Sequence, residues 1–143
     1  MSRVDFYKLG SQDNRSRWVM ACRLVEKAYA QGHTVIVHTA SAADSQAIDD
    51  LLWTFRQGSF VPHARVYPGN TPDSETPVRI GESLDGLDVG DVLVNLSHEI
   101  PPGYDRYARI LELVDQDETV RQYGRNRYRL YRAAGHELHD HEL

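Results

Sequence analysis

The stretch Thr34-Val35-Ile36-Val37 decides the fold that this sequence predicts. All four residues are β-branched, and such a continuous run is typical of a strand buried on both faces of a parallel sheet. A helix is predicted directly after it, with Ser41 as N-cap and Asp44 facing the positive helix end. The apolar stripe of this helix consists of Ile48, Leu51, Leu52 and Phe55.

The same alternation of strand and helix extends in both directions. Val4-Asp5-Phe6-Tyr7 predicts a first strand, followed by a helix that ends before Gly32, a residue suited to the left-handed C′ position. The apolar face of that helix consists of Trp18, Cys22, Val25 and Tyr29. Further strands are predicted within 77–80, 91–96 and 107–114. A last helix begins after Asp115 or Asp117 and ends before Gly135, so the chain predicts an α/β fold with a mostly parallel sheet.

The composition is that of an ordinary soluble globular protein. Of the 143 residues, 41% are hydrophobic and 26% are charged, which suits one domain with a single core. We expect this domain to span residues 1–135, with a flexible tail at 136–143. Because there is neither an apolar leader nor a long apolar run, we expect a cytoplasmic protein without membrane contact. Cys22 is the only cysteine, which excludes an internal disulfide and a cysteine-based zinc cluster.

Positive charge is concentrated in one short segment near the end of the chain. Arg121 to Arg132 (RQYGRNRYRLYR) holds five arginines and no acid, although the whole chain has 16 basic and 21 acidic residues and a formal charge of -5. A cationic, tyrosine-rich patch on an acidic body indicates a docking site for an anionic partner. The acidic total argues against broad binding to duplex nucleic acid.

Helical geometry brings most of these arginines to one face. At 100° per residue, an arc of roughly 100° contains four arginines and one tyrosine. They are Arg121, Arg125, Tyr128, Arg129 and Arg132. The opposite side, which we expect to pack on the sheet, holds Val120, Tyr123, Gly124, Tyr131 and Ala134. Arg127 falls among this second group and does not fit the pattern.

The residues alone leave three interpretations of the basic face open. It is a solvated surface paired with local acids, or an anion site, or a site for single-stranded nucleic acid that combines stacking with phosphate contacts. Arginine forks bind carboxylates bidentately, and Tyr128 offers an apolar surface beside them. An anion site of this kind suits an acidic peptide with a hydrophobic end, including a chain-terminal carboxylate.

Two other segments are candidates for function. The turn Ser59 to His63 follows the second helix, and Phe60 either packs on the core with Trp53 or forms an aromatic patch for a partner. The loop Asn95 to Glu99 follows a strand at the edge of the sheet where α/β enzymes place their sites.

Recognisable chemistry is scarce in this sequence. Neither glycine-rich phosphate-binding motif occurs, and no nucleophile elbow is present. The loop Asn95 to Glu99 has no recognisable catalytic partners, and we attribute any metal binding by His136, His139 and His141 to adventitious contact. No catalytic residue, cofactor or metal site is therefore predicted.

Four motifs occur in an order that resembles one known family. They are VDFYKL at 4–9, L-L-W at 51–53, S-F-V-P-H at 59–63 and R-x-R-Y-R-x-Y-R-x-A-G at 125–135. The chain resembles the chi subunit family of bacterial DNA polymerase III holoenzyme. The resemblance implies a Rossmann-like three-layer fold without a nucleotide site, and a non-catalytic adaptor in replication. About 67–87 shows no usable similarity.

The resemblance also implies two partners. Family members bind the acidic C-terminal tail of single-stranded-DNA-binding protein, which ends in an apolar residue. The matching positions for the tail are Val114, Arg121, Arg125, Tyr128 and Arg129. Family members also bind the psi subunit of the clamp-loader complex, and some use that surface for a helicase. The matching surface consists of Trp53, Phe60, Val61 and Pro62. A small α/β enzyme using Asn95 to Glu99, and direct single-stranded DNA binding by the last helix, remain the alternatives.

Overall fold

A seven-stranded sheet organises the chain, for which a computed structural model describes residues 2–73, 75–87 and 89–143. The strand order is β3-β4-β2-β5-β6-β1-β7, and each pair of neighbours is parallel. The strands are β1 (Arg3–Lys8), β2 (Val35–His38), β3 (His63–Arg65), β4 (Val78–Gly81), β5 (Val92–Asn95), β6 (Arg109–Val114) and β7 (Glu137–Glu142). The α-helices in this part of the chain are α1 (Asn14–Ala30), α2 (Ala42–Thr54) and α3 (Glu118–Ala133). The predicted α/β fold is confirmed.

Strand β2 lies in the middle of the sheet, as its β-branched run predicts. All four of its residues are buried, and its side chains alternate between two cores. Val35 and Val37 pack under α1 and α2, whereas Ile36 points to the other face, which Tyr131 of α3 covers. The fold therefore has three layers. In the described residues, no helix is both long enough and apolar enough to cross a bilayer.

The helix ends follow the predicted capping chemistry. The Ser41 hydroxyl accepts a hydrogen bond from the Asp44 amide at 3.1 Å, as an N-cap does. Of the two candidate caps for α3, Asp117 takes the position and accepts from the Val120 amide at 3.1 Å. Gly32 and Gly135 adopt φ of 83° and 85°, the left-handed geometry that ends a helix.

The last residues differ from the flexible tail that the sequence predicts. Glu137–Glu142 forms β7, which pairs with β1 along its whole length. Strand β6 pairs with one side of β1 and leaves the backbone groups on the other side of β1 free to pair. Strand β7 pairs with those groups. Where this pairing begins, His136 Nδ1 accepts a hydrogen bond from the Ser2 amide at 3.1 Å.

A buried carboxylate fixes β7 against β1. Asp5 is fully buried, and its Oδ1 lies 2.7 Å from His141 Nε2. Burial opposes ionisation of this carboxyl, but hydrogen bonds from Arg3, His141 and Arg109 outweigh burial and hold the pKa of Asp5 below its usual range. A charged residue on β1 thus explains how a polar segment becomes an ordered strand.

Candidate functional site

A groove of about 670 Å³ runs between helix α3 and the strands β1 and β7. Its lining includes all five residues that the sequence predicts for tail binding. These are Val114, Arg121, Arg125, Tyr128 and Arg129. The groove is completed by Phe6, Lys8, Gln116, Gly124, Asp140 and Glu142. Residues from two helical turns and three strands therefore meet at one concave surface.

The floor of the groove is apolar. Tyr128 packs its ring on Phe6, with the ring centroids 5.1 Å apart and the planes at 59°. Val114, at the end of β6, lies beside Gly124 of α3. A Cβ at Gly124 would overlap the Val114 side chain, so only glycine lets the helix approach β6 this closely. This close approach holds Val114 and Tyr128 at the bottom of the groove.

The helix side of the groove carries exposed positive charge. Arg121, Arg125 and Arg129 are exposed, and none forms an ion pair with any residue that the structure describes. Arg129 donates to the Asn126 side-chain oxygen at 3.1 Å. Arg132, which the helical projection places on the same face, is exposed but does not line the groove. The solvated-surface interpretation required local acids beside these arginines, and the described residues supply none within ion-pair distance.

The strand side of the groove was not predicted from the sequence. Lys8 of β1 lies 3.6 Å from Asp140 Oδ2 and 3.7 Å from Glu142 Oε1, both on β7. Sequence reasoning treated 136–143 as a tail, and therefore missed this wall. The segment 137–142 (ELHDHE) has one apolar residue, so it lacks the alternation of apolar and polar residues that predicts a strand.

Arg127 serves the core instead of the surface. It is only 4% exposed, and its Nε donates to Glu112 Oε1 at 2.9 Å. Tyr131 and Asn95 donate to the other oxygen of Glu112 at 2.7 and 2.9 Å. Burial, together with the charge of Glu112, raises the pKa of Tyr131, so the phenol remains a donor. The sequence marks Arg127 as an exception on the apolar face of the helix, and the packing of α3 on β6 identifies Glu112 as its partner.

Within the loop Asn95 to Glu99, the side chains of Asn95 and Ser97 are hydrogen-bonded inside the fold. Asn95 and Ser97 are buried, and the Ser97 hydroxyl lies 2.9 Å from Asn95 Oδ1 and 2.6 Å from the Glu99 carbonyl oxygen. The His98 ring stacks on Tyr123 with centroids 4.1 Å apart. The cavity beside this loop measures about 10 Å³, which does not favour a substrate site. Burial raises the pKa of Cys22 to about 12, which also disfavours a reactive thiolate.

The residues that the resemblance implies for psi binding differ in exposure. Trp53 is 52% exposed and Phe60 is 65% exposed, and their ring centroids lie 5.8 Å apart. The His63 ring packs against the Trp53 ring, with the centroids 4.5 Å apart. Pro62 lies beside them in the same shallow depression. The placement of Val61 on this surface is wrong. Val61 is 1% exposed and packs in the core under α2, so its side chain is not part of the surface.

The three histidines of the last segment have separate partners. His136 contacts the Tyr104 hydroxyl at 2.9 Å, and His139 contacts Glu137 at 2.7 Å. The ring of His141 stacks on Tyr7 with centroids 4.6 Å apart. The rings of His136 and His141 therefore fix the last segment to the rest of the fold, whereas the contact of His139 lies within β7.

Comparison with known proteins shows the family to which the chain belongs. The family model for the DNA polymerase III chi subunit, HolC, matches residues 1–139. DNA polymerase III subunit chi of Pseudomonas aeruginosa is 39% identical over 143 residues, covering 100% of this chain and 98% of the relative. The subunit chi of Haemophilus influenzae is 30% identical over 136 residues, covering 94% and 93%. That of Escherichia coli K12 is 24% identical over 120 residues, covering 83% and 80%. The chain belongs to the family of DNA polymerase III chi subunits that its motifs resemble.

Proposed function

We propose that this chain is a non-catalytic replication accessory subunit that links single-stranded-DNA-binding protein to the clamp-loader complex. Its groove binds the acidic C-terminal tail of single-stranded-DNA-binding protein, and its aromatic surface binds the psi subunit. The observation that carries this proposal is the groove itself. It combines an apolar floor with a rim of arginines that pair with none of the acids the structure describes, and these are the two features that an acidic peptide with an apolar end requires.

Each part of the groove has a chemical role in tail binding. Arg121, Arg125 and Arg129 line the groove, and the planar fork of an arginine suits side-chain carboxylates and the terminal carboxylate. Val114 and the Tyr128 ring accept the apolar end on the floor. Because the arginines are exposed, we expect modest affinity that falls as salt rises, with screening over about 8 Å at physiological ionic strength.

The second partner surface lies at the opposite edge of the sheet. Phe60 and Pro62 precede β3, which is the outer strand at one end of the sheet order, whereas the groove lies beside β7 at the other end. Exposed aromatic residues are enriched among interface hot spots, so Trp53 and Phe60 are suited to anchor psi. This separation lets one subunit hold both partners at once.

Titration of a labelled tail peptide tests the groove assignment. We expect Arg125→Ala to weaken binding about fivefold, because one exposed ionic contact is lost. Arg132→Ala is the matched control, since it removes an exposed arginine of the same helix that does not line the groove. Equal affinity for both variants would place tail binding elsewhere.

A single-stranded oligonucleotide in the same titration tests the alternative ligand. We expect weak binding or none at physiological salt, because the rest of the chain is acidic. Tight oligonucleotide binding that Arg125→Ala abolishes, together with no tail binding, would overturn the proposal in favour of a direct DNA binder.

Phe60→Ala tests the psi surface. Truncation of an exposed aromatic anchor should weaken psi binding about tenfold and leave tail affinity unchanged. Thr54→Ala, an exposed change next to Trp53, is the control. Simultaneous loss of tail and psi binding in Phe60→Ala would indicate misfolding instead of a separate surface.

A further inference from the structure

The groove has a second wall with the opposite charge to the first. Asp140 and Glu142 come from the outer strand β7 and line the same cavity as the arginines of α3. Lys8 of β1 lies between them, within 3.6 and 3.7 Å of the two carboxylates. One side of the groove therefore carries arginines that have no acid partner in the described part of the chain, and the other side carries two acids that share one lysine.

Several contacts other than those of the two acids hold β7 in place. The strand is fixed by its backbone pairing with β1, by Leu138 in the core beside Tyr131, and by His141 on the opposite face of the sheet. Asp140 and Glu142 keep their side chains partly or largely exposed, and their described ion-pair partner is Lys8. Their carboxylates are therefore available to act on whatever enters the groove.

An acidic peptide in the groove meets both walls. Its carboxylates are attracted to Arg121, Arg125 and Arg129 and repelled by Asp140 and Glu142. Like charges across a few ångströms disfavour a ligand, whereas complementary potentials fix its register. The charge pattern thus favours a peptide whose acids face α3 and whose side toward β7 is neutral.

We propose that Asp140 and Glu142 are specificity-determining residues, which rests on the proposed binding of the acidic tail in this groove. They confine the carboxylates of the tail to the α3 side, and they lower affinity for peptides that carry acids toward β7. Lys8 is a positioning residue that neutralises part of this wall. The groove is thereby selective for one orientation of an acidic chain end.

Removing the wall charges tests this inference. The isosteric double variant Asp140→Asn and Glu142→Gln should bind the tail peptide about two- to fivefold more tightly than the unaltered protein. The control is Glu137→Gln with Asp105→Asn, which removes the same charge from exposed acids outside the groove. The gain should disappear near 1 M salt, where screening acts over about 3 Å.

A neutral ligand and a lysine variant complete the test. A tail peptide with its acidic side chains replaced by amides should bind both proteins with the same affinity, because the wall then has nothing to repel. Lys8→Met should weaken binding of the acidic tail about twofold, whereas Lys27→Met on α1, also exposed, should leave it unchanged.

The outcomes separate this inference from the proposed function. No binding of the tail by any of these proteins would overturn both. Binding with equal affinity before and after removal of the wall charges would overturn the specificity inference alone. A gain that the control variant reproduces would attribute the effect to total charge and would also overturn it. Thermal unfolding of the double variant, unchanged from that of the unaltered protein, ensures that β7 is still in place.

Discussion

Helix α3 uses the same residue type in two opposite ways. Arg125 is exposed on the rim of the groove and has no ion-pair partner among the described residues, whereas Arg127, two positions later, is buried against Glu112. Two residues along a helix correspond to about 200°, so the two side chains leave the helix on opposite faces. The surroundings, and not the residue type, decide whether an arginine serves binding or stability.

The energetic consequences of the two positions differ in kind. An exposed arginine contributes little to folding, because water screens and solvates its charge. A buried arginine with a single carboxylate partner is different, since removing it leaves the partner charged and unsolvated. The comparison therefore predicts that variants of the exposed face change tail affinity, whereas variants of the buried face change the free energy of unfolding.

Arg127→Met should have the largest effect. It leaves Glu112 buried with two neutral donors and no cation, so we expect a loss of about 3–5 kcal/mol in the free energy of unfolding. Urea denaturation measures this loss, and Arg132→Met should stay within about 0.5 kcal/mol of the unaltered protein. Comparable losses in both variants would contradict the distinction between the two faces.

Gly124→Ala tests the close approach of α3 to β6, which lies between the exposed and the buried face of the helix. Its new Cβ overlaps Val114, which we expect to cost about 1–3 kcal/mol, offset by up to about 1 kcal/mol from the better helix propensity of alanine. Displacement of Val114 also alters the groove floor, so tail affinity should fall. Gln122→Ala, on the exposed side of the helix, is the control for both measurements. A stabilised protein with unchanged tail affinity would show that the close approach is unimportant.

Arg125→Lys should have the smallest effect, and it tests whether charge or the planar guanidinium geometry determines tail binding at the rim. The charge is kept but the planar fork is lost, so we expect tail affinity to fall about twofold, less than in Arg125→Ala. Peptide titration at two salt concentrations measures it. A loss as large as that of Arg125→Ala would show that fork geometry, and not charge, determines binding.

Strong local signals explain what the sequence predicted. The β-branched run at 34–37, Ser41 before α2 and Gly135 after α3 each have one favoured conformation, and each occurs as predicted. The basic rim followed from the helical period alone, because positions four apart on a helix are neighbours. The psi surface depended on the family resemblance, and Val61 shows that a match of sequence does not decide exposure.

Long-range pairing explains what the sequence did not predict. Strand β7 has a charged sequence with weak strand propensity, and it forms because β1 offers an unpaired edge and Asp5 holds His141. Strand β3 is only three residues long, too short for any periodicity. Arg127 and Glu112 lie 15 residues apart in the chain, and only the packing of α3 on β6 shows that they are partners.

The charged character of β7 has a consequence for self-association. Without this strand, β1 would become the outer strand of the sheet, and its apolar Val4 and Phe6 would flank a row of unpaired backbone groups. Exposed apolar edges of that kind pair with the same edge of a second molecule and lead to aggregation. Glutamates, histidines and an aspartate on β7 give the finished sheet a charged edge, and charged edge residues disfavour pairing with a second copy of the chain.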